Sequence, residues 1–269
     1  MSCASGLRVL TGYKPRLRSV TAMVDTPMPL TSHLGELRTR LFYCVIAVGV
    51  GFLLCYGLSD YLIAALQSPP SLILNEPLAV PLQIIAPAEA FLTYLKVSFL
   101  CGLFLALPVI LYQLWLFVAP GLLEHERKYT VPFIVGSTTL FYMGGVLFYL
   151  ILPLIVKFLL SFAGPDIKAQ LSVGFYVAFC IRLMIAFGLV FQLPIITTFL
   201  TQLGLLSSQT LIKNFRYAVV LTFIAAAILT PPDVISQTFM AIPTLLLYGV
   251  SILICKRIEK RQAAEDDDD

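Results

Sequence analysis

Long apolar stretches separated by short polar segments set the pattern of this chain. Six stretches contain no Asp, Glu, Lys or Arg: 41–59, 97–123, 129–156, 183–212, 217–232 and 234–255. A helix needs about 20 mostly apolar residues to cross the hydrocarbon core of a bilayer, and no stretch shows the alternation of a membrane β-strand. The pattern predicts an all-α membrane protein with six transmembrane helices. Their approximate bounds are 41–59, 97–120, 131–156, 174–203, 217–230 and 235–255.

The basic residues lie in alternate polar segments. Arg and Lys are frequent before residue 41, in 124–128, in 204–216 and after residue 255, whereas 59–94 contains neither. Loops rich in Arg and Lys stay on the cytoplasmic side of a membrane. Both termini and the two basic loops are therefore expected in the cytoplasm. An even number of spans requires the same arrangement of the termini.

Prolines occur inside four of the six predicted spans, at Pro108, Pro132, Pro153, Pro194 and Pro243. Each removes one helix hydrogen bond and bends its helix, which is tolerated in a membrane when neighbouring groups satisfy the freed carbonyl. Several proline-kinked helices favour a concave bundle over a parallel one. The fifth span is also short, since 217–229 gives about 20 Å of helix against a hydrocarbon core of about 30 Å.

The chain divides into three parts by composition. Residues 1–28 carry arginines but no apolar core of a signal peptide, and we expect a poorly ordered extension. Residues 29–257 form one membrane domain that opens with an amphipathic segment, 31–41. Residues 258–269 form an acidic cytoplasmic tail. Within the membrane domain, the proline-rich segment 58–95 is expected to form a structured cap on the far side.

Motifs for catalysis or for a cofactor are missing from the sequence. Its two histidines are His33 and His125, and it contains no H-E-x-x-H, G-x-S-x-G or nucleotide-binding loop. The six cysteines form no C-x-x-C pair and are expected to pack as small apolar side chains. We predict a protein that is not an enzyme, with no metal, no cofactor and no nucleic acid.

Few polar side chains fall within or beside the predicted spans, and each has two interpretations. Arg182 either extends towards the far interface or serves a site. Gln192 either bonds to a neighbouring helix or presents a polar point inside a groove. Asp233 and Gln237 belong to the far-side turn before the sixth span, where Asp233 is expected to cap the helix.

Three acids lie at the cytoplasmic ends of the spans: Glu36, Glu124 and Glu126. The simplest interpretation of each is a solvated residue in an ion pair. A carboxylate at the level of the lipid headgroups is also a good partner for guanidinium groups, because it can accept two charge-assisted hydrogen bonds. Such a site would select a peptide with adjacent arginines.

Five segments together resemble the TatC family, the core subunit of the twin-arginine, Sec-independent protein translocase. They read SHLGELRTRL, APAEAF, LPVILYQLWLFVAPGLLEHERK, AFGLVFQLPI and LTPPDVISQTFMAIP, in this order. The resemblance extends over about 29–257 and depends on the set of motifs rather than on any one of them.

The resemblance implies a set of binding residues for an Arg-Arg signal peptide. Glu126 matches the acid of the family that binds the arginine pair, and Glu36 matches its companion. The other positions implied at this surface are Phe117, Pro120, Arg38 and Arg127, with the two arginines expected to hold the acids by ion pairs. Gln192 matches an intramembrane polar position where many members have Glu, and because Gln does not ionise near neutral pH, a proton relay is not expected there.

The function implied by the resemblance is that of a receptor and core subunit. With TatB it would bind Arg-Arg signal peptides, and with TatA it would move folded proteins across the membrane by the proton-motive force. Expected partners are TatA, TatB, the signal peptides, further copies of this chain and membrane lipid. We expect a multi-pass protein of the bacterial inner membrane in preference to the thylakoid. The alternative, an ion-coupled small-solute transporter, would require carboxylates at mid-membrane and an inverted repeat, neither of which is found in the sequence.

Overall fold

The computed structural model describes residues 30–69, 80–118, 130–162, 170–229 and 234–266, without the side chains of 30–33 and 265–266. Nine helices form in these ranges: α1 Leu30–Gly57, α2 Ser59–Gln67, α3 Glu89–Val118, α4 Thr130–Ser161, α5 Val173–Val190, α6 Leu193–Gln202, α7 Ser208–Lys213, α8 Phe215–Leu229 and α9 Val234–Asp266. Two short strands, β1 Leu82–Gln83 and β2 Leu171–Ser172, pair in parallel.

The helices account for the six predicted spans. Five helical segments are long and apolar enough to cross a membrane: α1, α3, α4, α5 with α6, and α9. The shorter α8 has 15 residues, or about 22 Å of helix. The all-α membrane fold predicted from the apolar pattern is therefore confirmed. The amphipathic segment before the first span belongs to α1, without a break, and α9 continues past residue 257, where composition suggested the start of the tail.

The predicted fourth span consists of two helices. Helix α5 ends at Val190, and α6 begins at Leu193 with Pro194 in its first turn. A proline at this position lacks the N–H that a continuous helix would require, and its ring would clash with the preceding turn. Pro108, Pro153 and Pro243 instead lie inside their helices. Pro132 lies in the first turn of α4, where a proline is tolerated.

The main core lies between α4 and α5. Its most deeply buried side chains include Phe148, Leu152, Val177, Leu183 and Phe187. Helix α1 packs against α3 at the edge of the bundle, and α8 contacts α9 at the other end of the chain. Because α1 and α8 each contact few other helices, their outer faces are available to lipid or to other proteins.

The far-side segment between α1 and α3, described over 58–69 and 80–88, is attached to the bundle. Helix α2 is tied to the bundle by two tyrosines, since the Tyr149 hydroxyl donates to the Ala65 carbonyl at 2.9 Å and the Tyr176 hydroxyl to the Leu66 carbonyl at 2.7 Å. The strand pair then joins the end of this segment to the chain entering α5. The described parts of the predicted cap are therefore attached to α4 and to α5.

Candidate functional site

Glu36 lies near the cytoplasmic start of α1 in an ion pair with Arg40. Arg40 donates from Nε to Glu36 Oε1 at 2.9 Å, and its Nη2 donates to the same oxygen. The pair is largely shielded from solvent, because the Glu36 side chain is 25% exposed and that of Arg40 21%. Arg40 also donates from Nη1 to Gln113 Oε1 at 3.3 Å. This contact links the carboxylate on α1 to the cytoplasmic end of α3.

The second oxygen of this carboxylate has a different environment. Both hydrogen bonds from Arg40 reach Oε1, and no described residue donates to Oε2. An ionised carboxylate can accept hydrogen bonds at both oxygens. Glu36 can therefore accept a further guanidinium without first releasing Arg40.

Arg38 was expected to hold Glu36, but the ion pair of Glu36 is with Arg40. Residues two apart point to different sides of a helix, whereas residues four apart are neighbours on one face. Arg38 is accordingly exposed on another face of α1. The acid-to-base spacing of four in the sequence was the signal that favoured Arg40.

An aromatic cluster fixes the two helix ends that flank residues 119–129. Trp115 of α3 stacks on Phe133 of α4 with ring centroids 4.7 Å apart, and the edge of Phe199 of α6 meets both rings. The indole Nε1 of Trp115 also donates to Ser137 Oγ at 3.2 Å. Neither the apolar pattern nor the family resemblance pointed to these residues as a cluster, although Trp115 is the one tryptophan of the chain.

The remaining cytoplasmic residues that the resemblance implies fall largely outside the described ranges. Phe117 lies in the last turn of α3 and is half-buried. Pro120, Glu126 and Arg127 belong to 119–129, which the structure does not describe, as do Glu124, His125 and Lys128. Their roles stay predictions.

Gln192 lies at the junction of α5 and α6 and is half-buried. Its Nε2 donates to the Ser137 carbonyl of α4 at 3.0 Å. This contact fits the first of the two interpretations of Gln192, a hydrogen bond to a neighbouring helix. Ser137 also accepts a hydrogen bond from Trp115 through its Oγ. Ser137 therefore connects Gln192, at the helix break, to the aromatic cluster.

The far-side turn before α9 is partly described. Gln237 lies in the first turn of α9 and is half-buried, whereas Asp233 lies outside the described residues. The clearest polar centre on this side is instead Glu89, at the start of α3. Its Oε2 accepts from the N–H groups of Ile85 and Ala86, and its Oε1 accepts from the Ser172 hydroxyl and from the N–H of Gly174.

Helix α8 presents an apolar surface to its surroundings. Ala226 is its one residue with less than a tenth of its area accessible. The exposed side chains include Val220, Leu221, Ile224 and Ile228. At its cytoplasmic end Arg216 lies over the ring of Tyr217, 4.8 Å from the centroid. A short, apolar, poorly covered helix offers a surface for a second transmembrane helix.

Among the described residues, no group of three or more His, Cys, Asp or Glu side chains could hold a metal ion. The arrangement on the cytoplasmic side suits charge recognition. One oxygen of the Glu36 carboxylate accepts no bond from a described residue, and Arg40 links the carboxylate to a second helix.

The chain is similar to known proteins over most of its length. A family model described as Sec-independent protein translocase protein (TatC) matches residues 32–243. The TatC protein of Magnetococcus marinus is 44% identical over 246 residues, which cover 90% of this chain and 89% of that protein. The protein of the same name from Carboxydothermus hydrogenoformans is 41% identical over 242 residues, 89% of this chain and 98% of that one.

A solved structure is similar as well. The crystal structure of a twin arginine translocase receptor, TatC, is 36% identical, with a TM-score of 0.72 over 84% of this chain and 99% of that one. Sequence and fold therefore point to the same family.

Proposed function

Because the chain belongs to the TatC family of Sec-independent protein translocase proteins, we propose that it is the signal-peptide receptor and core subunit of its translocase. As a family member it is a non-enzymatic, multi-pass protein of the bacterial inner membrane that works with other translocase subunits. In the proposed role it binds Arg-Arg signal peptides together with TatB. It then transports folded proteins with TatA, driven by the proton-motive force.

The observation that carries this proposal is the state of the Glu36 carboxylate. Arg40 occupies one of its oxygens and anchors it to Gln113, while the other oxygen accepts no bond from a described residue. A fixed acceptor costs little conformational entropy when a ligand binds. This supports Glu36 as one contact for an incoming arginine, with Glu126 as the second.

The chemistry of the site favours arginine over lysine. A guanidinium group offers several N–H donors in a planar fork that matches a carboxylate, whereas an ammonium group acts as a compact point charge. Two adjacent arginines can engage two carboxylates at once. Phe117, Pro120 and the cluster around Trp115 would then provide apolar surface beside the charged pair.

We assign the partner surface to α8. A helix of about 22 Å is shorter than the hydrocarbon core of about 30 Å. Either the bilayer is thinner beside α8, or a partner helix covers the face of α8. Its exposed apolar face suits the single transmembrane helices of TatA and TatB. Further copies of the chain could pack against the equally uncovered face of α1.

Signal-peptide binding to purified protein in nanodiscs tests the proposal. We expect Glu126→Ala and Glu36→Ala each to weaken binding of an Arg-Arg peptide about tenfold or more, since each removes a charge-assisted contact. The wild-type protein should bind the Lys-Lys peptide more weakly than the Arg-Arg peptide. Glu124→Ala is the matched control in the same loop and should change binding less.

Two results would refute the receptor role. One is binding of the Arg-Arg peptide that is unchanged in the Glu36→Ala, Glu126→Ala double variant. The other is movement of small solutes into liposomes by the purified chain alone, which would favour the ion-coupled transporter.

A further inference from the structure

Two basic side chains lie close to each other near the far side of the membrane. Lys96 lies seven residues, or about 10 Å, from the start of α3. Arg182 lies nine residues, or about 14 Å, from the start of α5. Both are exposed and both line one cavity of about 310 Å³. The rest of its lining is apolar: Phe99, Leu100, Leu103, Ala178, Ile181 and Ile185.

Within the described part of the chain, no carboxylate pairs with Lys96 or Arg182. The ion pair found there joins Glu36 to Arg40, on the opposite side of the membrane. A charged side chain at this depth is costly unless it reaches the interface or meets an opposite charge. Two cations that line one cavity, with no described carboxylate partner, therefore favour an external anion.

An apolar groove continues from the cationic cavity. This second cavity, of about 320 Å³ between α2, α3, α4 and α5, shares Leu100 and Ile181 with the first. The hydroxyls of its two tyrosines are already committed, Tyr142 to the Phe104 carbonyl and Tyr149 to the Ala65 carbonyl. The groove thus offers a hydrocarbon surface rather than hydrogen bonds.

From this juxtaposition we infer that Lys96, Arg182 and the adjoining groove bind an anionic phospholipid of the far leaflet. The phosphate lies between the ammonium and guanidinium groups, and an acyl chain fills the groove between α3, α4 and α5. Basic pockets between transmembrane helices select anionic headgroups in this way. A zwitterionic lipid carries its own cation, which the two basic side chains repel. The lipid would also seal the junction between α3 and α5.

Native mass spectrometry of the full chain, purified in detergent and titrated with lipid, measures this directly. We expect phosphatidylglycerol to bind more tightly than phosphatidylcholine. Lys96→Gln or Arg182→Gln should each weaken phosphatidylglycerol binding about fivefold, and the double variant about 25-fold, because each surface cation contributes about this much. Arg182→Lys should retain most of the affinity.

Two further variants separate charge from fit. Lys157→Gln removes an exposed cation from α4 on the same side, at a position that does not line either cavity, and should leave binding unchanged. Val146 lines the groove and is 60% exposed, so Val146→Trp should fit the fold while blocking the acyl chain. It should weaken binding of both lipids.

Several outcomes would overturn the inference. One is a double variant that binds phosphatidylglycerol within twofold of the wild-type affinity. Another is a loss of phosphatidylglycerol affinity in Lys157→Gln as large as in the double variant. Competition by soluble glycerol phosphate as strong as by the lipid would show that the groove takes no part. If the double variant keeps its lipid but no longer co-purifies with a single-span subunit, the cations serve an acidic partner helix instead.

Discussion

At the scale of single residues, the cytoplasmic site depends on the position of Arg40, one turn of α1 after Glu36. Glu36 and Arg40 share a face of α1, and Arg40 extends the contact to Gln113 of α3. The sequence alone could have indicated the pair from its spacing of four. It could not have indicated Gln113, which lies 73 positions away and reaches Arg40 through the packing of α1 on α3.

A double-mutant cycle tests this pairing. We expect a coupling energy of about 0.5–1 kcal/mol between Glu36→Gln and Arg40→Gln, because the pair is partly shielded and the side chains are four residues apart. The matched cycle with Arg38→Gln should give a coupling near zero. Thermal unfolding in detergent measures both, and a larger coupling for Arg38 would contradict the structure.

At the scale of elements, α1 is held against α3 by a close approach of two glycines. A Cβ atom on Gly51 would lie 2.5 Å from the Gly102 carbonyl oxygen, and one on Gly102 would lie 2.4 Å from the Phe52 nitrogen. Backbones this near to each other leave no room for a side chain. The apolar pattern predicts both spans but does not show which of their faces meet.

Gly51→Ala therefore should separate or distort the α1–α3 contact. We expect a loss of stability of about 1–3 kcal/mol, the usual effect of an extra methyl group in a packed interface. Gly49→Ala is the control in the same helix, since no atom lies within 4 Å of its Cβ position. That variant should be as stable as wild type or slightly more so. Equal effects in thermal unfolding would rule out the glycine contact.

On the far side, Glu89 holds two segments of the chain together. Its carboxylate joins the turn before α3 to the turn before α5 through four hydrogen bonds. In Glu89→Gln the amide NH₂ would face donors instead of accepting from them. We expect faster hydrogen exchange at Ala86 and Gly174, with no change in α8. Unchanged exchange at both amides would show that the carboxylate does not hold the cap.

At the scale of the whole molecule, the two ends of the bundle are built for different tasks. The far-side cap is tied together by Glu89, Tyr149 and Tyr176. The cytoplasmic side presents Glu36, linked through Arg40 to Gln113, and the separate cluster around Trp115. The span count and the short fifth span could be predicted from the sequence, because each depends on composition over many residues. The break after Val190 and the strand pair depend on single positions and on distant contacts, so they required the structure.

The most direct measurement of the receptor claim is site-specific crosslinking of a bound signal peptide. A photoreactive side chain placed beside the arginine pair of the peptide would be irradiated with the full chain in nanodiscs, and the adducts located by mass spectrometry. We expect adducts within 34–41 and 113–129, lost when the arginines are replaced by lysines. Adducts confined to α2 or to the far-side turn before α9, or unaffected by that replacement, would contradict the assignment of the cytoplasmic face.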